Sequence, residues 1–357
     1  MYNQFMDKSQ NKRIAWIDVA KGIGMLLVIF AHCFSNVAGE VIPRAFLYSF
    51  HMPLFFILSG FTFKFSEDWK QFRKSTYKSF KRLIIPAIIC FIIFSIISVI
   101  RSSLSGNHVE LFEYVSDRIL ALLFSLPTEL TVYGITMPDI GMMWFFVALF
   151  FSLVIFNLIA RLSATPRTNI LLSLFVSLFG FLLAKYNIFL PFSIDLALSL
   201  QIFLLFGKFF LRKIKLSSVL TAVIYFIIWI ITFISYLFIS RTYLEVAVRR
   251  FPLFPVSIIS ALAGSCFIYC ISYALSKIGI IKKALSYIGR NSLYVLIAHY
   301  FDFVFEKIWL RFANTYLNGL LRIIIVLILA FIIIQIKSLV QKYILHTNSS
   351  KHSVSKN

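Results

Sequence analysis

Apolar runs of about twenty residues follow one another along almost the whole chain, interrupted by short stretches with charged residues, Pro or Asn. A membrane-spanning helix needs about 20 mostly apolar residues, so the chain has room for roughly ten such helices and little else. With 60% hydrophobic residues, 41 Phe and a mean hydropathy of +0.89, it carries more apolar surface than soluble cores can bury. The sequence predicts an all-α, polytopic membrane helix bundle and excludes a soluble globular enzyme.

About ten spans are predicted, which places both termini on the same side of the membrane. Basic residues are concentrated in alternate connections, with six between residues 65 and 82, and the positive-inside rule places these connections and both termini in the cytoplasm. Residues 111–126 are too short and too charged to span and are typical of an amphipathic interfacial helix; a span there would raise the count to eleven. The predicted spans are 14–34, 46–64, 83–100, 143–160, 169–184, 190–211, 217–239, 253–276, 292–310 and 317–338.

The net charge of +21 would indicate nucleic acid binding in a soluble protein. In a membrane protein, basic segments set the orientation and contact anionic lipid headgroups. We therefore expect membrane lipids as partners and no nucleic acid. The chain divides into one transmembrane domain over residues 1–340 and a polar cytoplasmic tail over 341–357.

The first span contains three groups that are costly to place in a membrane and are therefore functional candidates. Asp18 and Lys21 are neighbours on the helix surface and can form an ion pair that merely fixes the helix. Lys21 and His32 lie within about 20° of the same face, separated by about 16.5 Å along the axis. That length is comparable with the extended pantetheine arm of coenzyme A, although a histidine in a span can also be a packing residue.

The second span carries His51, which should lie at the same depth as His32 because the chain returns inward there. The two imidazoles are therefore expected to face one cavity. Lys78, Lys81 and Arg82 fall within about one helical turn in the basic connection that follows, and can bind a nucleotide diphosphate. The alternative is that these charges only orient the protein.

Five sequence blocks occur in an order that resembles the acyltransferase 3 family, especially its fucose 4-O-acetylase-like members. The likeness extends from about Arg13 to Ala330. The resemblance implies an integral membrane enzyme that moves an acyl group, usually acetyl, from cytoplasmic acyl-CoA to a sugar hydroxyl of an extracytoplasmic or lipid-linked glycan, in the plasma membrane of a bacterium. The blocks are IDVAKGIGMLLVIFAH, SFHMPLFFILSGF, KRLIIP, MWFFVALF and IGRNSLYVLIAHYF.

The family's motifs can be carried over residue by residue. Its basic-x10-His signature falls on Lys21 and His32, and its second-span histidine on His51. Its arginine-rich cytoplasmic motif matches the basic connection only loosely, because Lys78 and Lys81 stand where Arg is commoner. The family's late Asn-Ser and His positions fall on Asn291, Ser292 and His299, and Asn291 is equally readable as a helix cap.

Acyl transfer to an alcohol needs a base, and neutral His32 can serve as that base. It also needs hydrogen-bond donors for the developing oxyanion, and His51, Trp144 or a backbone amide can provide them. The sequence leaves open whether His32 acts as a base or carries the acyl group. Asp302 lies one helical turn after His299 and can orient that imidazole, bind a sugar hydroxyl or form a local ion pair. The predicted substrate-binding residues are Asp18, Trp144, Asn291, His299 and Asp302.

The expected co-substrate is acyl-CoA, with no permanently bound cofactor. Cys266 and Cys270 share a helix face, but no His or carboxylate accompanies them, so we expect packing and no metal. A segment at 127–139, with Glu129, Tyr133 and Asp139, offers acids and an aromatic ring for sugar binding, as many exposed loops do.

Two other functions fit parts of the sequence. A glycan exporter or flippase would also be basic and polytopic, but it has no need of a basic-x10-His pairing beside a phosphate-binding connection. A membrane-bound O-acyltransferase of the unrelated His-containing type would make His299 essential and His32 replaceable.

Overall fold

A computed structural model describes residues 14–34, 41–106, 110–303 and 315–354, and 79% of it is helical. The segment 1–13, residues 304–310 of the ninth predicted span and the last three residues of the predicted tail lie outside the described residues. The elements are α1 (Ala15–Ala31), α2 (Val41–Tyr48), α3 (His51–Thr62), α4 (Trp69–Leu104), α5 (Leu111–Phe124), β1 (Leu130–Val132), β2 (Ile135–Met137), α6 (Trp144–Leu162), α7 (Pro166–Lys185), α8 (Ile194–Ser199), α9 (Gln201–Phe209), α10 (Val219–Ser240), α11 (Val256–Leu275), α12 (Gly279–Arg290), α13 (Ser292–Asp302) and α14 (Thr315–Val354).

The predicted helix bundle is confirmed, whereas the predicted count of ten spans is not. Seven helices in the described part of the chain are long and apolar enough to cross a membrane, and α8 with α9 forms an eighth if a helix bent by 47° counts as one span. Within the described residues, α1 has 17 residues and α13 has 11, which is fewer than the roughly 20 that a crossing usually needs. The orientation remains a prediction.

The connection predicted at 65–82 is not a loop. Its basic residues form the first half of α4, a single helix of 36 residues that contains Pro86. Asp68 caps this helix, since its carboxylate accepts a hydrogen bond from the Gln71 amide at 2.6 Å. Lys and Arg are good helix formers, so the helix extends well beyond the apolar run that defined the span.

The segment predicted as an interfacial helix forms α5, which has 14 residues. Its apolar side chains Leu111, Phe112 and Ile119 are strongly exposed, as expected for a helix lying against lipid. A β-hairpin of two antiparallel strands, β1 and β2, follows it. Helix α5 and the hairpin together lead into α6.

Small residues let helices that carry the site approach closely. A Cβ on Gly289 of α12 would lie 1.8 Å from the carbonyl oxygen of Asp18, and a Cβ on Gly22 of α1 would lie 2.2 Å from that of Leu285. Glycine at such positions is the usual device for close helix packing in membranes. The backbones of α1 and α12 are therefore in direct contact.

Candidate active site

A cavity of about 560 Å³ opens among the C-terminal end of α1, helices α2 and α3, helix α5, the start of α6, the segment 245–248 and α13. This volume is in the range of small-molecule binding sites. Apolar side chains form much of its wall. The polar and aromatic residues that line it are His32, Arg44, Tyr48, His51, Arg118, Thr128, Asp139, Trp144, Glu245 and Tyr300.

His32 follows the last residue of α1, where the helix ends and the side chain turns into the cavity. Three rings surround its half-buried imidazole. Their centroids lie 6.1 Å away for Tyr48, 5.3 Å for His299 and 5.7 Å for Phe303. The aromatic packing fixes the plane of the imidazole.

His51 is the first residue of α3, and it lines the same cavity while being only 3% exposed. Its Nδ1 lies 2.9 Å from the carbonyl oxygen of Leu47. A carbonyl can only accept, so the proton of the neutral ring sits on Nδ1, and Nε2 is left as an acceptor. The structure thus brings the two predicted imidazoles to one cavity.

Trp144, the first residue of α6, is also part of the cavity wall and is 6% exposed. Its indole N–H is a hydrogen-bond donor. No hydrogen bond to a described residue uses this donor. The group is available to a ligand in the cavity.

His299 and Asp302 lie behind His32, and neither is among the described residues that line the cavity. Both side chains are fully buried. Asp302 Oδ2 is held by Arg322 of α14, at 2.8 Å from Nε and 2.6 Å from Nη2. It lies 3.7 Å from Nδ1 of His299. The carboxylate therefore forms a buried ion pair with Arg322 beside the His299 ring.

Arg322 also connects this buried pair to the predicted base. Its Nη1 lies 3.4 Å from the backbone carbonyl oxygen of His32. Arg322 lies within the last predicted span. Its contacts could not be predicted from the sequence, because its partners are 20 and 290 residues away in the chain.

Three other predicted site residues lie away from this cavity. Asp18 is buried where α12 crosses α1, and Lys21 is half-buried one helical turn later. Asn291 separates α12 from α13 and makes no capping bond to α13; its Nδ2 donates to the Tyr287 carbonyl at 2.9 Å. It lies at a second, apolar cavity of about 410 Å³ between α12–α13 and α14.

Lys78, Lys81 and Arg82 are exposed on one stretch of α4. The Lys81 ammonium lies 4.5 Å from the Tyr77 ring centroid. Phe94, further along the same helix, lines the cavity. The twelve residues from Arg82 to Phe94 span about 18 Å, which is close to the axial separation of Lys21 from His32.

Arg44 is a cavity residue that sequence reasoning did not identify. It lies on α2, eight residues that begin before the predicted second span. Its Nη1 donates to the Phe34 carbonyl at 2.8 Å, its Nε donates to the Tyr243 hydroxyl at 3.1 Å, and its Nη2 lies 3.8 Å from Glu245 Oε1. The contacts with Tyr243 and Glu245 join segments about 200 residues apart, which no local pattern reveals.

Of the predicted sugar-binding segment at 127–139, only part reaches the cavity. Asp139 lines it, whereas Glu129 and Tyr133 are not among its lining residues in the described chain. The Tyr133 hydroxyl instead accepts a hydrogen bond from the Phe189 amide at 3.1 Å. Asp139 Oδ1 accepts from the Gly141 amide at 2.7 Å, and burial raises the pKa of the Asp139 carboxyl.

The described residues contain no group of three or more His, Cys, Asp or Glu side chains placed to hold a metal ion. The chemistry of the cavity is that of imidazole, indole, guanidinium and carboxyl groups around a mostly apolar wall.

Fold and cavity together define a multi-pass membrane protein with two imidazoles at one ligand-sized cavity. The family model described as an acyltransferase domain matches residues 14–339, and the chain therefore belongs to the acyltransferase 3 family. The resemblance seen in the sequence is confirmed, and the chain is a membrane acyltransferase. Comparison with curated proteins gives no match, and comparison with solved structures gives none.

Proposed function

We propose that this membrane acyltransferase takes an acyl group, in the first instance acetyl, from cytoplasmic acyl-CoA and transfers it to a sugar hydroxyl. The acceptor is an extracytoplasmic or lipid-linked glycan of a bacterial cell envelope. The observation that carries the proposal is the meeting of His32 and His51 at a cavity of about 560 Å³, with basic groups about 17 Å away along two helices.

The separation of about 17 Å between the basic groups and the cavity, measured along the helix axes, suits acyl-CoA as the donor. Lys21 on α1, and Lys81 with Arg82 on α4, offer cations for the phosphates of coenzyme A. The pantetheine arm then extends toward the cavity and delivers the thioester carbonyl beside His32. Two separate helices give nearly the same distance between basic group and cavity, so the proposal does not depend on a single pair of residues.

His32 serves as the general base in this mechanism. Its imidazole removes the proton of the sugar hydroxyl while the hydroxyl oxygen attacks the thioester carbon. The C–S bond then breaks, the acyl group stays on the sugar as an ester, and the coenzyme A thiolate takes the proton back from His32. Neutral imidazole accepts the proton in the first step, and the resulting imidazolium returns it in the second.

Trp144 and His51 take different roles because of their protonation. The indole N–H of Trp144 can donate to the oxyanion of the tetrahedral intermediate. His51 presents an unprotonated Nε2 to the cavity when its Nδ1–H donates to Leu47. It is therefore an acceptor that orients a sugar hydroxyl, rather than an oxyanion donor.

The position of His299 favours His32 as the reacting group. His299 is fully buried behind His32 and is not among the described residues of the cavity wall. A group that removes a substrate proton must come within hydrogen-bond distance of it. His299 and Asp302 are better assigned to holding the His32 ring than to binding the acceptor.

The test uses the full chain in lipid nanodiscs with radiolabelled acetyl-CoA and the glycan-containing membrane fraction of its host as acceptor. We expect His32→Ala to lower turnover at least about 100-fold, as loss of a base commonly does, while acetyl-CoA binding is retained. His299→Ala should lower turnover less. An active His32→Ala with an inactive His299→Ala would contradict the proposed site, and absence of acetyl transfer by the unmodified protein would contradict the reaction.

A further inference from the structure

Arg118 brings a positive charge into the cavity that the proposed mechanism does not use. It lies on α5, outside the membrane-spanning helices, and its side chain is part of the cavity wall. Burying part of a guanidinium without a counter-charge is unfavourable. A counter-charge for the Arg118 guanidinium is therefore expected in the cavity.

The side chain is held in a fixed place. The Arg118 guanidinium carbon lies 5.1 Å from the ring centroid of Tyr114 and 5.7 Å from that of Phe91. The Tyr114 hydroxyl donates to the Ser95 carbonyl at 2.9 Å, which ties α5 to α4. Stacking on two aromatic rings orients the planar group and leaves its edge available.

Within the described chain, Arg118 makes no hydrogen bond and no ion pair within 4 Å, and the Asp139 carboxylate attracts its charge only over a longer distance. Its buried Nε makes no hydrogen bond, and no carboxylate lies within 4 Å of it. The donors of its guanidinium are therefore not satisfied by the protein residues that the structure describes.

The two carboxyl groups of the cavity wall are engaged elsewhere. Glu245 is shared by two arginines, at 3.8 Å from Arg44 and 3.3 Å from Arg250. Asp139 accepts from the Gly141 amide. Burial raises the pKa of the Asp139 carboxyl, and the Arg118 charge acts on it in the opposite direction. The wall therefore compensates the positive charge of Arg118 only in part, through the longer-range attraction of Asp139.

We propose that Arg118 binds an anionic substituent of the acceptor, a carboxylate or a phosphate, and so selects an acidic sugar over a neutral one. A guanidinium fork matches the paired oxygens of either group. The cavity has room for a sugar residue together with the thioester. This inference rests on the proposed function, because it assigns Arg118 to the acceptor rather than to the donor.

The test measures binding, so that it does not depend on catalysis. Full-length protein in nanodiscs is titrated with trigalacturonic acid, with its carboxyl-reduced neutral counterpart, with galactose 1-phosphate and with coenzyme A. We expect at least one acidic sugar to bind about tenfold or more tightly than the neutral trisaccharide. Whether the carboxylate or the phosphate probe binds identifies the substituent.

Arg118→Gln should weaken binding of the preferred acidic sugar about 10- to 100-fold, the usual effect of losing charge-assisted hydrogen bonds. Binding of the neutral sugar and of coenzyme A should be unchanged. Arg118→Lys keeps the charge without the fork and should retain part of the preference. Arg241→Gln is the matched control, since Arg241 is exposed and lies outside the cavity wall.

Three results would overturn the proposal. The first is equal binding of acidic and neutral sugars by the unmodified protein. The second is that Arg118→Gln weakens the binding of acidic and neutral sugars equally, which indicates a structural role. The third is a loss of coenzyme A binding alone, which assigns Arg118 to the donor. A different result is that the protein binds acidic sugars in preference to neutral ones through Arg118 and yet transfers no acetyl group. That result supports the anion site and contradicts the proposed reaction.

Discussion

The ion pair between Asp302 and Arg322 should make a large contribution to the stability of the helices behind His32. The two side chains are 0% and 4% exposed, and Oδ2 of Asp302 accepts a hydrogen bond from Nε of Arg322 at 2.8 Å and lies 2.6 Å from its Nη2. Hydrogen bonds to charged groups contribute about 1.5–3 kcal/mol each. Removing one partner costs more than this single hydrogen bond, about 3–5 kcal/mol, because it leaves the other charge buried and unpaired.

We therefore predict that Arg322→Met lowers the free energy of unfolding by about 3–5 kcal/mol. The double variant Asp302→Leu with Arg322→Met should lose several kcal/mol less than the sum of the single changes, because it removes both charges together. The measurement is unfolding of the purified protein in mixed micelles titrated with dodecyl sulfate, followed by tryptophan fluorescence.

Arg167→Met provides the control, since Arg167 is exposed at the start of α7 and its loss should change stability by no more than about 0.5 kcal/mol. A change below about 1 kcal/mol for Arg322→Met would refute the reasoning. So would single changes that simply add in the double variant, because that outcome means the two charges do not stabilise each other.

Two further predictions concern the donor site and the helix contacts. Replacing Lys81 and Arg82 together with Ala should raise the Michaelis constant for acetyl-CoA and reduce its salt dependence, and an unchanged constant would leave these charges an orienting role only. Gly207→Ala should destabilise the protein by about 1–3 kcal/mol, because its Cβ would lie 2.0 Å from the Ile57 carbonyl oxygen. Gly279→Ala, whose Cβ would meet nothing within 4 Å, should be neutral or stabilising in the same dodecyl sulfate unfolding assay, and equal effects of the two changes would contradict the packing argument.

The sequence predicted the parts of the site that depend on position along single helices. His32 and His51 were expected to face one cavity because they lie at matched depth on consecutive spans, and the structure places both there. Helical periodicity and the length of an apolar run are sufficient for such a prediction, since each concerns one element.

Contacts between distant segments could not be predicted in this way. Asp302 was expected to orient His299, bind a sugar hydroxyl or form a local ion pair. The structure brings Arg322, on the next described helix, nearer to its carboxylate than His299. Arg44 and Arg118 were counted as charges of outer connections, because nothing local distinguishes a guanidinium that turns into a cavity from one that faces water.

The extent of α4 was missed for a different physical reason. The predicted third span was limited at residue 83, next to Lys81 and Arg82, since charged residues mark the limit of the membrane. Helix formation depends on propensity and hydrogen bonding, and both continue through the residues from Trp69 to Arg82. A change from apolar to basic composition therefore locates the membrane boundary better than it locates the end of a helix.

The buried contact of Arg249 with Asp195 has a consequence for how acceptors enter and leave. Arg249 donates to the Asp195 carboxylate at 2.8 Å, to the Ser193 hydroxyl at 3.0 Å and to the Ala247 carbonyl at 2.9 Å. These bonds hold in place the non-helical segment that contains Glu245, which is a residue of the cavity wall. A segment that is ordered before a ligand arrives loses little further conformational entropy on binding, so we expect the proposed acceptor to enter and leave without movement of residues 245–248.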